Sequence, residues 1–347
     1  LAALAGVTDV DPLVLSIAQG GQQGAALHMD AAAILIAAAS NNVLKGVYTL
    51  VFAGRLAGLV PAAALLLLAA GGGIAAIGNF ADVMKHALFT LAIDHLKGKE
   101  KPFFVLDTHA GPGATDLSGI EAQKTGEFHD GIARVLAAPD PHPALKPYLA
   151  ALPAPLSSYP GSPALAAALT RPQDRLAFCE LHPEDAAALH AHFRRDARVK
   201  THAMDGYTAL KSMLPPSERR GLVLIDPPFE QRDEYERLAA ALGEATRRFA
   251  TGTYFVWYPV KDPSVSGAFL ERLAQSGPPR TLALELHVRA AGLARMTGSG
   301  LVIVNPPFAL TAEGPDGKTI ARSLLDWLAG TLAQGSGARA RAEWLRP

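Results

Sequence analysis

Cysteine is almost absent from the sequence. The 347 residues contain one, Cys179, which lies inside the apolar run RLAFCE. A disulfide within the chain and a metal site built on cysteines are therefore excluded, and this cysteine usage suits a cytosolic protein. The eleven histidines are scattered, without the paired spacing of zinc ligands, so we expect no metal. The 32 basic and 32 acidic residues balance, which leaves only a local basic face as a means of attracting nucleic acid.

Charge is scarce in residues 1–78. The run LAGLVPAAALLLLAAGGGIAAIG, residues 56–78, has no charged side chain and is long enough to span a bilayer. Residues 31–54 form a weaker candidate. Two interpretations stay open: a membrane hairpin within 31–78, or a buried pair of Ala/Leu-rich helices, with Gly71–Gly73 weakening a continuous helix. The lysines that follow would keep the rest of the chain in the cytoplasm.

From residue 79 the pattern changes to alternating helices and strands, which predicts a second domain at 79–347. Seven segments read as strands: PFFVLD, RLAFCE, RVKTHA, GLVLID, TYFVWY, TLALELHV and GLVIVN. Their alternation with helical segments indicates an α/β, Rossmann-like, mostly parallel doubly wound sheet. The connection RAAGLARMTGS is short for a crossover, so we expect the last strand to be antiparallel. The polar, Pro-rich stretch 115–160 predicts an inserted helical region without strands.

Polar residues follow four successive strands of this predicted sheet. The first ends in LDTHAGPG, which supplies Asp107, His109, Gly111 and Gly113. The next three end in Glu180, in Asp205 of MDGY, and in Asp226. Ligands bind at the carboxyl ends of the strands in such sheets, and an acid there can accept hydrogen bonds from ribose hydroxyls. No GxxxxGK[ST] phosphate loop is present, so the pattern favours S-adenosylmethionine, a nucleoside cofactor without phosphate, over a nucleoside triphosphate.

The motif Asp226-Pro227-Pro228-Phe229 indicates amino-group methylation. An exocyclic adenine amine is a poor nucleophile because its lone pair is delocalised into the ring. Asp226 and the carbonyl of Pro227 can each accept one N–H of that amine, and the prolines fix the loop without adding donors. Phe229 would stack on the base. A second copy, Asn305-Pro-Pro-Phe308, follows a strand far from the predicted crevice, so we interpret it as a strand stop with a packed aromatic ring.

Residues 79–347 resemble the RlmJ family of 23S rRNA adenine-N6 methyltransferases. The resemblance rests on the motifs GNFADVMKH, LDTHAGPG, TGEF with GIARV, YPGSP, ELHP, DGY, RRGLVLIDPPFE, WYPV and MTGSGLVIVNPP. It implies a class I methyltransferase fold with a helical insertion at about 110–165, and Asp226 in the catalytic position. It also implies contacts with S-adenosylmethionine from Lys85, His86, His109, Ser162, Glu180, Asp205 and Gly206. Without the resemblance, Ser162 would read as a helix N-cap.

The start of the chain departs from this family. Family members carry a short segment with Tyr, Arg and His just before the GNFADV position, thought to touch the RNA, whereas this chain has GGGIAAI at 71–77. Residues 1–70 instead resemble the C-terminal end of an MgtC-type membrane protein, on DVDPLVLS and AAAILIAAASNNVLKGV. Because the chain begins with Leu1, we interpret 1–78 as a fusion or a misjoined reading frame. We expect the altered start of the chain to leave cofactor binding intact and to weaken the positioning of the RNA substrate.

The resulting prediction is a monomeric methyltransferase that acts on protein-free 23S rRNA. Basic residues cluster at Arg194, Arg195, Arg198 and Lys200, at Arg219 with Arg220, and at Arg247 with Arg248. Such runs are typical of solvated helix ends. One alternative is a DNA adenine-N6 methyltransferase, against which the lack of a separate target-recognition domain counts. The other is a membrane-embedded protein whose methyltransferase half is inactive, which the uncharged run 56–78 favours and the intact Asp226 and Glu180 oppose.

Overall fold

The computed structural model describes residues 78–119, 126–231, 233–290 and 296–347. The chain divides into two units, Leu1–Ala75 and Ala76–Pro347, and every described residue belongs to the second. The membrane hairpin predicted within 31–78 lies outside the described residues, apart from Gly78. Within the described ranges, no helix has the length and apolar character needed to cross a membrane.

Helices and strands alternate along most of the described chain. The helices are α1 Phe80–Lys97, α2 Ile132–Ala137, α3 Lys146–Ala150, α4 Ser162–Leu169, α5 Pro183–Phe193, α6 Gly206–Met213, α7 Glu234–Arg248, α8 Pro263–Ser276, α9 Phe308–Thr311 and α10 Ile320–Thr331. The strands are β1 Phe104–Asp107, β2 Ala114–Asp116, β3 Ser158–Pro160, β4 Arg175–Glu180, β5 Val199–Ala203, β6 Gly221–Ile225, β7 Thr253–Val260, β8 Thr281–His287, β9 Gly298–Val304 and β10 Arg339–Arg346.

One eight-stranded sheet has the order β10-β8-β9-β7-β6-β1-β4-β5. Strands β7, β6, β1, β4 and β5 are parallel, and β9 lies antiparallel between β7 and β8. The predicted doubly wound sheet and the antiparallel GLVIVN strand are confirmed. That strand is not the last one, however, because β10 pairs antiparallel with β8 at the edge of the sheet. Its sequence RARAEWLR is polar enough that no apolar run marks it.

The insertion after β1 differs from the prediction in one respect. Strands β2 and β3 pair antiparallel, with Ala114 opposite Pro160 and Asp116 opposite Ser158, so the region is not free of strands. Each strand has three residues, too few for an apolar alternation to be recognised in the sequence. Between them the described residues form helices α2 and α3 and two 3₁₀ turns, Glu127–Asp130 and Pro143–Leu145.

Apolar side chains cover both faces of the sheet. Along β6, Leu222 and Leu224 point to the face covered by α1, α4, α5 and α10, whereas Val223 and Ile225 point to the face covered by α6, α7 and α8. Because both faces are buried, β6 is a continuous apolar run rather than an alternating one. We call the side of the sheet at which β1, β4, β5, β6 and β7 end the carboxyl edge, and the side at which they begin the amino edge. These two edges differ from the outermost strands, β10 and β5. In the central strands β1 and β6, which are buried along their length, polar residues reach solvent only at these two edges. The candidate site lies at the carboxyl edge.

Candidate active site

The carboxyl edge brings together the four acids predicted from the sequence. Asp107 is the last residue of β1 and pairs in register with Phe178 of β4 and Leu224 of β6. Glu180 ends β4, while Asp205 and Asp226 follow β5 and β6 closely. Since β6, β1, β4 and β5 are neighbours in that order, these carboxyl groups line one continuous stretch of the edge.

The first turn of α1 is fixed by its cap. The side-chain oxygen of Asn79 accepts the backbone N–H groups of Ala81 at 2.9 Å and of Asp82 at 3.1 Å. Asp82 Oδ2 in turn accepts the N–H of Gly78 at 2.9 Å. These bonds satisfy backbone donors that the start of a helix leaves free. The turn also packs tightly, because a Cβ on Gly131 would lie 2.0 Å from the Gly78 carbonyl oxygen.

This turn places Lys85 beside the loop Asp226-Pro-Pro-Phe229, which the sequence predicts to be catalytic and which we call the catalytic loop. Its Nζ donates to Asp226 Oδ2 at 2.5 Å and to Asp82 Oδ1 at 2.9 Å, and it lies 5.9 Å from the centre of the Trp257 ring. Burial alone would lower the pKa of Lys85, but the carboxylates of Asp226 and Asp82 outweigh burial and raise that pKa. Lys85 is therefore a permanent cation between two acids. Asp82 was missed from the sequence; its only signal is its position three residues before Lys85.

His86 belongs to a buried polar chain. Its Nδ1 lies 2.8 Å from the hydroxyl of Tyr159, which lies 2.7 Å from the hydroxyl of Tyr148. All three side chains are almost fully buried. Burial, followed by the nearby Lys85 charge, lowers the pKa of His86 to about 3. His86 is therefore neutral, and it anchors α1 to β3 of the insertion.

Asp107 is buried and bonded to Ser162. The Ser162 hydroxyl donates to Asp107 Oδ2 at 2.6 Å. Burial raises the pKa of Asp107 to about 7, although the Ser162 bond acts in the opposite direction. The N-cap of α4 is Gly161 rather than Ser162, so the interpretation of Ser162 as a cap is wrong. His109 Nδ1 lies 2.8 Å from the Thr108 hydroxyl, and burial lowers its pKa.

The loop after β1 meets the end of β4 at Glu180. Glu180 Oε2 accepts the N–H of Gly111 at 2.8 Å, and Oε1 accepts the N–H of His182 at 2.8 Å. Gly111 has φ +58°, and a Cβ added there would meet no atom within 4 Å. The backbone of this loop therefore borders open space beside an acid, as a bound nucleoside requires. Gly113 has φ +93° and packs against Leu189.

The loop after β5 touches the loop after β1 through Gly206. A Cβ on Gly206 would lie 2.5 Å from the Thr108 carbonyl oxygen and 2.7 Å from the His109 ring, so only glycine fits. Asp205 caps α6, because its Oδ2 accepts the N–H of Thr208 at 2.8 Å. The His109 ring also meets Tyr207 edge to face, with centroids 5.8 Å apart.

The Asp226-Pro-Pro-Phe229 loop leaves β6 at the centre of the edge. Asp226 Oδ2 is bonded to Lys85, and no described residue is a hydrogen-bond partner of Oδ1. Pro227 is buried and Pro228 is exposed. Phe229 has φ +54°, and its ring lies 4.8 Å from Tyr235 and 5.7 Å from Trp257, measured between centroids. Three aromatic rings, those of Phe229, Tyr235 and Trp257, are thus packed together in this region. Asp226 Oδ1 in the same loop has no hydrogen-bond partner among the described residues.

The second Pro-Pro motif lies at the amino edge, because β9 runs antiparallel to β7. Asn305 follows β9, and its side-chain amide donates to the carbonyl oxygens of Ala250 and Gly252, both at 2.8 Å. Asn305 therefore serves as a strand stop, far from Asp226. The expectation of a packed ring is wrong, since Phe308 is 72% exposed.

A doubly wound sheet with an acid-lined carboxyl edge and an Asp-Pro-Pro-Phe loop defines the class I methyltransferase fold. The family described as "Ribosomal RNA large subunit methyltransferase D, RlmJ" matches residues 100–346. The chain therefore belongs to the RlmJ family, and it is a methyltransferase. A second family, a domain of unknown function (DUF4010), matches residues 1–53, which is consistent with a membrane-protein-like segment at the start of the chain.

Individual relatives agree with this assignment. Ribosomal RNA large subunit methyltransferase J of Escherichia coli strain K12 is 38% identical over 276 residues, which are 78% of this chain and 96% of that protein. The protein of the same name from Haemophilus influenzae is 40% identical over 277 residues, with the same coverage. The crystal structure of protein LPL1258 from Legionella pneumophila superposes with a TM-score of 0.70 at 34% identity, covering 77% of this chain and 97% of that one.

Proposed function

We propose that this chain transfers a methyl group from S-adenosylmethionine to N6 of an adenine in 23S rRNA. The observation that carries the proposal is the state of Asp226, with one carboxylate oxygen held by Lys85 and the other without a partner among the described residues. The names of the relatives support a ribosomal RNA substrate. We further propose that the enzyme acts as a monomer on protein-free rRNA, with residues 79–347 as its catalytic domain.

The residues at the edge fit S-adenosylmethionine. Glu180 is placed to accept ribose hydroxyls, and Gly111 leaves open space beside it. Asp205 and Gly206 would border the adenine ring, while His86, His109 and Ser162 surround the middle of the edge. Within the described ranges, no group of three His, Cys, Asp or Glu side chains is arranged to hold a metal ion. When bound, the cofactor supplies a methyl group on a positively charged sulfur.

Asp226 and Pro227 would activate the target amine. Asp226 Oδ1 accepts one N6–H, and the Pro227 carbonyl oxygen accepts the other, so the nitrogen lone pair is directed away from both acceptors and towards the methyl group. As the new N–C bond forms and the S–C electron pair returns to sulfur, N6 loses a proton, which Asp226 accepts. Lys85 holds Oδ2 throughout and thereby fixes the direction of Oδ1.

The target base must leave its stack to reach this loop. Phe229, supported by Tyr235 and Trp257, offers an aromatic surface on which the extruded adenine would stack. Extruding a base costs a few kcal/mol, and least when the nucleotide is already unpaired. This cost favours a single-stranded adenine in rRNA that is free of ribosomal proteins.

The test is transfer of a tritiated methyl group to protein-free 23S rRNA, with the modified nucleoside identified by chromatography. The full chain should label adenine N6. Asp226→Ala and Asp226→Asn should lose most of this activity while binding S-adenosylmethionine as the wild type does in calorimetry. Label at another atom, or full activity in Asp226→Ala, would refute the proposed mechanism.

The two aromatic residues of the Pro-Pro motifs give a matched pair of variants. Phe229→Ala should lower kcat/KM by about 5- to 150-fold, since stacking of a base on an aromatic ring is worth about 1–3 kcal/mol. Phe308→Ala makes the same chemical change at the amino edge and should leave the rate unchanged. Equal losses in the two variants would show that Phe229 has no specific contact with the base.

A further inference from the structure

On the side of Asp226 where β7 lies, the sheet extends past Asp226 in the direction of the carboxyl edge. Ile225 of β6 pairs with Val256 of β7, so Asp226 is level with Trp257, and β7 continues for three more residues to Val260. At about 3.3 Å per residue, this extension is about 10 Å long. Strands β9, β8 and β10 extend equally far in this direction. We call the projecting part of these four strands, beyond the level of Trp257, the raised wall. It lies beside the catalytic loop.

The top of this wall is one row of paired residues. Val260 faces Gly298 of β9, Gly298 faces His287 of β8, and His287 faces Arg339 of β10. Three cations lie in this row or within two residues after it: Lys261, Arg289 and Arg339, which we call the basic rim. Strand spacing places the two ends of the rim about 14 Å apart.

The cations of the basic rim have no acidic partners. Within the described part of the chain, none of the three takes part in an ion pair. Lys261 and Arg339 are exposed. Arg289 donates through Nη2 to the side-chain oxygen of Gln334, but its Nε is buried without a hydrogen-bond partner. A buried guanidinium donor that lacks an acceptor carries a desolvation cost, and Arg289, which is half-buried, keeps a positive charge that no described carboxylate neutralises.

The acids nearby are already occupied. Asp262 caps α8 by accepting the N–H of Ser264 at 2.8 Å. Glu285 accepts the hydroxyl of Tyr258 at 3.0 Å, and Glu343 is paired with Arg341. Arg341 also lies 3.6 Å from Glu285, so it is neutralised and is not part of the rim. Among the described residues at this end of the sheet, the cations without a carboxylate partner are therefore the three rim residues, while the capping carboxylate of Asp262 keeps its charge next to Lys261.

We propose that the basic rim binds phosphates of the RNA strand next to the target nucleotide. The proposal rests on the proposed function, because an adenine held at Asp226 keeps its flanking phosphates within the reach of a wall that rises about 10 Å beside it. A line of unpaired cations matches the regular charge of a nucleic-acid backbone. Arg289 can present a planar pair of donors to one phosphate, which a lysine cannot reproduce.

A second basic group in the chain provides the matched control. Arg194, Arg195 and Lys200 are exposed and lie after α5 and in β5, the strand at the opposite end of the sheet from β10. They are similar in number and charge to the rim but lie beyond the cofactor residues, on the side away from the wall. General electrostatic attraction would involve both groups equally, whereas a built phosphate site would involve the rim alone.

The experiment compares two triple variants with the wild type. The rim variant is Lys261→Gln, Arg289→Gln, Arg339→Gln, and the control is Arg194→Gln, Arg195→Gln, Lys200→Gln. Steady-state methylation of an rRNA fragment gives KM at several salt concentrations, and anisotropy of a labelled fragment gives RNA affinity directly. The rim variant should raise KM on the order of tenfold and flatten the slope of log affinity against log salt by about 2, near 0.7 per lost phosphate contact. The control should keep the wild-type KM and slope.

Each outcome has a defined meaning. An unchanged slope in the rim variant, or equal changes in both triples, overturns the inference. If the wild type methylates no rRNA, the proposed function fails, while the anisotropy comparison still tests the rim by itself. Should the rim triple be unstable to heat, the double variant of the exposed Lys261 and Arg339 replaces it, with an expected change in slope of about 1.4. Arg289→Lys should restore charge without full affinity, which a merely structural arginine would not show.

Discussion

Lys85 shows how a single buried cation can organise an active site. Its ammonium group joins Asp82 of the first helical turn to Asp226 of the catalytic loop, with side chains that are 9% to 18% exposed. Removing one partner from such a site leaves the remaining charges imperfectly compensated where water cannot screen them. The stability of the α1 start and the geometry of Asp226 therefore depend on the same three side chains.

A matched pair of variants tests this dependence. Asp82→Asn should lower the free energy of unfolding by about 3 kcal/mol, since breaking a buried ion pair costs about 3–5 kcal/mol. Asp94 makes an ion pair with Lys97 at 2.9 Å in the same helix with the same spacing, but both side chains reach solvent. Asp94→Asn should therefore cost less than about 1 kcal/mol. Urea denaturation measures both values, and a loss below 1 kcal/mol in Asp82→Asn would contradict the assigned role.

Single residues divide clearly into those that the sequence predicts and those that it does not. Asp107, Glu180, Asp205 and Asp226 are predictable because each lies at or just after the end of a predicted strand, and the ends of parallel strands meet at one edge. Trp257 and the Tyr148–Tyr159 pair are not, because their contacts depend on how distant segments pack. Lys85 and Asp226, for example, lie 141 positions apart, and no periodicity in the sequence connects them.

At the scale of elements, the joined loops after β1 and β5 depend on one glycine. Gly206→Ala would place a methyl group 2.5 Å from the Thr108 carbonyl oxygen, so the two loops must separate. We expect a loss of about 1–3 kcal/mol in stability, as in other overpacked sites, and weaker S-adenosylmethionine binding in calorimetry. Unchanged cofactor affinity would show that this junction does not shape the cofactor site.

The control for this change is Gly267→Ala in α8. An added Cβ there meets no atom within 4 Å, and alanine is favoured over glycine inside a helix by about 1 kcal/mol. The same substitution should therefore stabilise the protein at position 267 and destabilise it at position 206. Thermal unfolding of the two variants, measured side by side, checks the opposite signs.

Elements with a strong apolar pattern were predictable, and the polar ones were not. Most of the parallel strands read as continuous apolar runs, so their presence followed from the pattern, and the antiparallel direction of β9 followed from the short connection before it. Strand β10 is paired on one side only, at the edge of the sheet, where Arg and Glu are tolerated and protect against unwanted pairing. The short pair β2 and β3 depends on the insertion folding back on itself, which no local pattern reveals.

For the whole molecule, acid should act strongly through His86. Its pKa is lowered to about 3 in the fold by burial and by Lys85, against about 6.5 when unfolded. The unfolded chain therefore takes up a proton first, and stability that is present above pH 6.5 is lost as the pH falls towards 3. Asp107, with its raised pKa, acts in the opposite sense, since it loses stability as the pH rises through 7.

A comparison with His86→Asn isolates this contribution. Asparagine keeps a polar group near the Tyr159 hydroxyl but does not titrate. Between pH 7.5 and 5.0 the wild type should lose about 2 kcal/mol more unfolding free energy than the variant. The effect of Asp107 is common to both proteins and cancels in the difference. Parallel pH profiles, measured by urea denaturation without cofactor, would show that His86 takes up a proton as readily in the folded state as in the unfolded chain.

The order of the strands also determines how much conformational entropy the chain loses when each pair of strands forms. Phe104 of β1 pairs with Gly221 of β6 across a long stretch of chain, whereas His287 of β8 pairs with Gly298 of β9 across a short one. Closing a loop about ten times longer costs on the order of 2 kcal/mol more. Of the antiparallel pairings in the raised wall, the one between β8 and β9 therefore costs the least to close. The residues that hold Asp226 in place come together only through contacts between distant parts of the chain, since Lys85 and Asp226 lie 141 positions apart.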